Sequence, residues 1–312
     1  MAKKEASNMK VGFCRELLHV EGMAALKATL DRLAPEIEWV HDSAKKVRSQ
    51  LLLDGDACYP FKKMVRSALS LLPGVDALLV PRIIRLDNYL MCPNFRALPD
   101  MVRLNLERLY SAKLIPLLTP EIDAVTSGPV DFLAADIFKQ LFGKSSTASP
   151  VVEKAGAHLT EDLRKRDISK AIALIGHAYV LPDAHLNNGV PEILHGLGHE
   201  TVSTRDIAFN TLTSLAARHD YYAKTLYWRS AREVLGGFLY FTQVQRPAGM
   251  IHLVPFNCGV DALLRIELAS LHNRLNHPVP FMVIVCDEHT QRDHVLTRVE
   301  AFLDMVHGIT LH

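Results

Sequence analysis

Apolar residues in this chain follow two alternating periods. Short buried runs at residues 10–14, 37–40, 76–80 and 113–118 read as strands. Between them, apolar positions recur every three or four residues over 22–33, 61–72 and 98–109, as on one face of a helix. Gly74 stands where the second of these helices should stop. The alternation lapses over "GKSSTASPVVEKAGAHLTEDLRKR", residues 143–166, which is small and polar and then charged, and so marks a boundary region. Beyond it come strands at 171–175, 201–203, 250–254 and 281–285, with helices at 190–197, 229–244, 261–273 and 291–307. Such alternation implies an α/β protein, its largely parallel sheets covered by helices on both faces. No internal repeat is visible, yet the two halves, 9–155 and 168–312, are expected to share an architecture as two domains.

Length agrees, since 312 residues exceed one ordinary core and fit two domains of about 150 each. A composition of 49% hydrophobic and 22% charged residues is that of a globular protein. Near-equal charges, 35 Lys and Arg against 34 Asp and Glu, supply no field for nucleic acid or an anionic membrane, so neither partner is expected. No apolar run approaches the roughly 20 residues that span a bilayer, and the start "MAKKEASNMK" carries charge with no hydrophobic segment behind it. A cytoplasmic location follows as the expectation.

The five cysteines, Cys14, Cys58, Cys92, Cys258 and Cys286, are scattered and odd in number, and structural disulfides are not expected. None forms a Cys-x-x-Cys pair, so metal ligation would have to draw on distant segments. Cys258 in "PFNCGVDAL" falls between a buried strand and a helix; Gly259 would let the backbone approach a ligand, and the helix N-terminus favours a thiolate. The plain alternative is a small buried thiol at a turn. Cys58 in "DACYPFKK" and Cys92 in "CPNFRALPDMVR" each precede a helical pattern and a proline, and Lys62 and Lys63 add positive charge near the first. Three thiolates on three strand-to-helix loops would suit zinc or an iron-sulfur cluster, and spacing does not choose between them. Cys14 and Cys286 read as core residues, or as neighbours of a site that do not ligate.

His177 and Tyr179 in "GHAYVLPD" follow a strand and could act as proton donor or orienter, against the alternative of a surface loop with a capping aspartate. "CDEHT" puts Asp287, Glu288 and His289 at the end of another strand. The candidate catalytic residues are therefore His177, Tyr179, Glu288 and His289. Arg82 and Arg85 in "VPRIIRLDN" would bind a carboxylate or phosphate, or pair with those acids to tie the domains together. Gly236 and Gly237, where a helix prefers alanine, point to a close neighbour or a ligand.

The blocks "DACYPFKK", "VPRI", "CPNFRALPDMVR", "GHAYVLPDAHLNNGVPEILHGLGHETVS", "PFNCGVDAL" and "DEHTQRDHVLTRVEAFLDM" resemble, in order, the CoA-substrate-specific enzyme activase-related proteins, short relatives of the 2-hydroxyacyl-CoA dehydratase and benzoyl-CoA reductase subunits. The resemblance covers about residues 10–307. It implies two Rossmann-like domains with a cleft between them that holds a 4Fe-4S cluster. Its ligands, carried over motif by motif, would be Cys58, Cys92 and Cys258, with Gly259 beside them. It also implies ATP-linked, low-potential reduction or dehydration of an acyl-CoA or another small molecule in an anaerobic setting. The partner would be a separate ATPase of the acetate-kinase and Hsp70 type, with a homodimer or a homologous second subunit completing the assembly. Neither a P-loop nor a glycine-rich dinucleotide fingerprint occurs in the chain, so ATP dependence is expected in trans. An electron-transfer or scaffold subunit without substrate, and a cluster-free binding module, remain the alternatives.

Overall fold

Continuous apolar runs alternating with amphipathic segments favour strands buried on both faces. The computed structural model describes residues 9–20, 23–41, 51–53, 55–86, 88–109, 115–123, 130–143, 163–218 and 226–310. The chain divides into two compact units, one of Met1–Ala57 with Phe61–Ala157 and the other of Cys58–Pro60 with His158–His312.

The first unit runs β1 (Met9–Gly12), α1 (Arg15–Leu18), α2 (Met23–Leu33), β2 (Ile37–Val40), α3 (Tyr59–Ser70, from Phe61 on), β3 (Ala77–Leu79), β4 (Arg82–Leu86), β5 (Tyr89–Leu90), α4 (Pro93–Leu109), β6 (Leu117–Leu118), β7 (Glu121–Asp123) and α5 (Val130–Phe142). Its main sheet is parallel, in the order β2-β1-β3-β6. A small second sheet, β5-β4-β7, was not foreseen. The reason is that β4 alternates poorly and carries two arginines. Arg82 donates to both carboxylate oxygens of Asp100 at 2.7 and 2.6 Å, and Arg85 to both of Asp123 at 2.8 and 2.7 Å. Both guanidinium groups are thus engaged inside this unit, with acids other than Asp287 and Glu288.

The second unit contains β8 (Ile172–Ile175), α6 (Val190–Gly196), β9 (Thr201–Ser203), α7 (Phe209–Ala217), α8 (Arg229–Gln243), β10 (Gly249–Pro255), α9 (Gly259–Arg274), β11 (Phe281–Cys286) and α10 (Arg292–Thr310). Its sheet is parallel throughout, ordered β11-β10-β8-β9. All seven residues of β10 are buried, as expected of a strand with partners on both sides. Read in chain order, each main sheet is arranged 2-1-3-4, so the halves do share an architecture and both are Rossmann-like.

Several boundaries differ from the periodic reading. Helix α4 starts at Pro93 and runs through Pro99, whereas the sequence pattern begins at 98, because a proline at the first helical position is well tolerated. Helices α5 and α7 lie where no helix was expected. Gly236 and Gly237 face a close neighbour: a β-carbon on the first would strike the Leu212 backbone and on the second the Thr204 side chain. The boundary segment 144–162, and residues 113–114 of the expected strand at 113–118, lie outside the described residues. Among the described residues no helix is long and apolar enough to cross a membrane.

Candidate functional site

In an open parallel sheet the strand order reverses at one place, and the loops after the two strands flanking it diverge to leave a crevice. In the second unit that place lies between β8 and β10. The loop after β8 carries His177 and the loop after β10 carries Cys258.

Backbone bonds fix the turn that carries Cys258. Its N–H donates to Pro255 O at 3.0 Å across a tight turn whose third residue, Asn257, has φ of 57°, a left-handed conformation that asparagine tolerates. Phe256 N–H donates to Cys286 O at 2.8 Å, fixing the turn to the end of β11. Cys258 is the N-cap of α9, yet its side chain makes no capping bond. The thiol, half-buried, is left available for other chemistry. A β-carbon on Gly259 would meet nothing within 4 Å, so there is open space beside the sulfur's loop.

His177 follows Gly176, whose carbonyl accepts a bond from Thr204 Oγ1 at 3.1 Å. Its ring is 1% exposed. Nε2 lies 2.6 Å from Asp261 Oδ2 and 3.8 Å from Cys258 Sγ. Tyr179 packs its ring 5.2 Å from the imidazole, centre to centre. Asp261, the third residue of α9, is fully buried. An acid at this position of a helix ordinarily turns back to cap it; here it faces the histidine. On its other side, His252 from the middle of β10 places Nε2 3.6 Å from Asp261 Oδ1, too far for a hydrogen bond. Nδ1 of His177, both ring nitrogens of His252 and Oδ1 of Asp261 are buried without a hydrogen-bond partner.

Burial alone would lower the basicity of His177, but the Asp261 carboxylate and its hydrogen bond outweigh this, with Cys258 adding to them, and raise it well above the usual imidazole range. The same pair acts in reverse on Asp261: burial pushes its carboxyl up, while His177 and then His252 hold it well below the usual carboxylate range. Both directions agree on a charged carboxylate against an imidazolium. Sulfur and carboxylate approach the same ring nitrogen, whereas a nucleophile relay needs them on opposite nitrogens. The arrangement is therefore convergent: one ligand atom each of His177, Cys258 and Asp261 lies within 4.8 Å of the others.

The remaining candidates divide. Cys58 immediately precedes α3, and Tyr59 N–H donates to Phe256 O at 3.0 Å. The segment bearing Cys58 is thus tied directly to the turn bearing Cys258. Tyr59 Oη donates to His185 O at 3.1 Å. Burial, followed by the charges of Asp183, Glu288 and Asp287, pushes the Tyr59 phenol up to about 12. Glu288 therefore belongs to the electrostatic surroundings of this segment, whereas the His289 ring is 83% exposed and lies 3.8 Å from Glu288. Cys92, half-buried, immediately precedes α4 in the first unit. Cys14 donates weakly to Met64 O at 3.6 Å and Cys286 to Ile284 O at 3.9 Å. Burial pushes both thiols up, Cys286 to about 12. Cys14 also stands directly before a helix, so burial rather than position separates it from Cys258.

Two residues of the site, Asp261 and His252, were not singled out from sequence. A lone histidine amid the apolar run "MIHLVP" was the available signal.

Residues 10–207 match the family described as "CoA enzyme activase uncharacterised domain". The match takes in Cys58, Cys92 and His177 and ends before Cys258. No curated protein matches the chain.

Proposed function

The chain belongs to the CoA enzyme activase uncharacterised domain family, and from that premise we propose an iron-sulfur protein of the 2-hydroxyacyl-CoA dehydratase type. In this reading Cys58, Cys92 and Cys258 hold a 4Fe-4S cluster that serves ATP-linked reduction or dehydration of an acyl-CoA or related small molecule. The observation that carries the reading is the bond from Tyr59 N–H to Phe256 O, 3.0 Å, which joins two cysteine loops far apart in sequence.

The donor set fits the group. Cys58 and Cys258 are undisulfided thiols, and open space lies beside Gly259. When bound, a cluster with three protein ligands supplies electron transfer and one iron open to a small ligand. The chain's own residues would do the rest. The backbone bonds at Pro255, Phe256 and Tyr59 fix where the sulfurs sit. His177, held by Asp261, offers a proton beside Cys258. The partner is a separate ATP-dependent activase that delivers the electron, and a homodimer or homologous second subunit completes the assembly.

Anaerobic isolation followed by iron and sulfide analysis tests this. Cys258→Ala should lose the cluster, while Cys286→Ala should keep nearly all of it; equal iron in the two variants would overturn the assignment. Adding acyl-CoA thioesters to the loaded protein should then perturb the cluster spectrum if the open iron meets substrate. An unchanged spectrum with every thioester would reduce the protein to an electron relay.

A further inference from the structure

We infer that His177, Asp261 and Cys258 form a second, mononuclear metal site of the zinc class, with His252 as its fourth ligand. Cys258 is then common to two sites that exclude one another: with Cys58 and Cys92 it binds a cluster, and with the histidines and Asp261 it binds a single ion.

Charge makes the first argument. Asp261 is fully buried, and a buried carboxylate requires a compensating charge. An imidazolium at His177 compensates Asp261 only while Cys258 is neutral. A divalent ion balances a carboxylate and a thiolate together and leaves both histidines neutral, so the buried group has no net charge. The ligand set, two nitrogens, one oxygen and one sulfur, suits zinc or cobalt and is wrong for magnesium or calcium, which take oxygen.

Geometry makes the second. Tetrahedral zinc with these ligand types puts neighbouring donor atoms roughly 3.3–3.6 Å apart. Here the separations are 2.6 Å for His177 Nε2 to Asp261 Oδ2, 3.8 Å for His177 Nε2 to Cys258 Sγ and 3.6 Å for His252 Nε2 to Asp261 Oδ1. Within the group of three an ion has to spread the first pair by somewhat under an ångström, replacing a hydrogen bond with two coordinate bonds; His252 stands outside that group and has to swing toward the ion to complete the tetrahedron.

His252 points to an ion independently of the other three residues. His252 is 0% exposed, neither ring nitrogen has a hydrogen-bond partner, and Nε2 is turned toward the one Asp261 oxygen that also lacks a partner. A native interior leaves few such groups, and a missing ion is one of their ordinary causes. Ligation would satisfy His252 Nε2, and Asp261 would be bonded through one oxygen or both.

Cobalt(II) titration of the full chain tests the inference in a Cys92→Ser background, where the three-cysteine cluster cannot assemble. The expected result is one equivalent of cobalt with a thiolate-to-metal charge-transfer band and the intense visible bands of tetrahedral geometry, displaced by zinc. His177→Gln and Asp261→Asn, near-isosteric changes whose folding is checked by circular dichroism, should each weaken binding by more than the roughly 10–100-fold that loss of an outer-shell partner costs. Cys258→Ser should abolish the charge-transfer band. Cobalt binding that is unaffected by His177→Gln and Asp261→Asn, or that never shows a thiolate band, overturns the site. Neither outcome bears on the cluster reading, which stands or falls on anaerobic iron in the chain with Cys92 intact.

Discussion

The two units have the same strand order and put opposite chemistry at the same place. In the first, the loop after β1 carries Cys14 and the first turn of α1 carries Glu16, both buried, and Glu16 is met by Lys63 at 2.5 Å and Ser67 at 2.7 Å from α3. Its charge is compensated within the unit, and the thiol donates to a carbonyl of that same helix. In the second, the loops after β8 and β10 bring together an imidazole, a carboxylate and a thiol, with a further imidazole behind them that has no partner. A shared architecture therefore supplies the position of a crevice but not its use. At Glu16 the charge is met through Oε1, which takes both Lys63 and Ser67 while Oε2 is left without a partner, and the crevice is structural. Where a carboxylate, a thiol and two imidazoles together leave four buried atoms unpaired, something else is needed to pair them.

The strongest way to break this comparison is to remove one crevice cysteine from each side, Cys14 after β1 and Cys258 after β10. Cys258→Ala should abolish iron retention in anaerobically isolated protein, whereas Cys14→Ala should retain it and lose only packing, about 1 kcal/mol for a small buried group. Iron that disappears equally from both would mean that the first unit's crevice also serves the metal.

The next largest effect concerns the paired acid. Glu16→Gln leaves Lys63 beside a neutral group in a largely buried position, and removal of one partner from a buried pair costs up to 3–5 kcal/mol. Lys63 is 19% exposed, so solvent can partly recover it and about 2–3 kcal/mol is expected. Urea unfolding of wild type and variant at one pH measures the difference. A change below about 0.5 kcal/mol would show that this crevice is not held by its ion pair.

The contrast between the units also explains what the sequence could and could not convey. Strand β10 was legible because a run buried on both faces needs no alternation, and Cys258 because it stands where that run meets a helical pattern. Tyr59–Ser70 was expected to start two residues later, since Pro60 fits a first helical turn but does not show which residue opens it. Asp261 was not legible as a site residue. An acid three positions past a helix N-cap is what capping and the helix dipole both favour, so its type at that position carries no sign that it faces a histidine 84 residues away. His252 was hidden differently, because its lack of partners is a property of β8 and β11 lying on either side. Conversely, Cys14 shares its place before a helix with the candidate ligands; burial sets it apart from half-buried Cys92 and Cys258 but not from Cys58, which is buried as well, and residue spacing reports neither.

His252 sharpens the comparison with a change of opposite sign. In metal-free protein its unpartnered ring nitrogens cost desolvation without return, on the order of 1–3 kcal/mol. An apolar residue of similar volume avoids that cost, so His252→Leu should raise the stability of the metal-free chain by about 1 kcal/mol, or roughly 2–4 °C in Tm for a unit of this size. The same substitution should weaken cobalt binding. Stability lost and cobalt affinity unchanged would identify His252 as a packed core residue with no part in the site.

The effect that is smallest at neutral pH, where it vanishes, concerns the buried Cys286 thiol and emerges only in alkali. Cys286 ends β11 fully buried, and burial, with Asp261 adding to it, pushes its thiol up to about 12. In the unfolded chain the same thiol ionises near 9. Below that value both states hold the proton and stability is unaffected. Above it the unfolded chain releases the proton while the folded chain keeps it, so stability falls as pH rises from about 9 toward 12. At pH 9 the loss is about 0.4 kcal/mol, growing by about 1.4 kcal/mol per further pH unit until the folded thiol also titrates. Cys286→Ala should flatten the alkaline limb of the stability profile by that amount without changing iron content. A limb of unchanged slope would mean that the thiolate is tolerated where the strand ends, and Cys286 would then be a chemical neighbour of Cys258 and not a piece of the core.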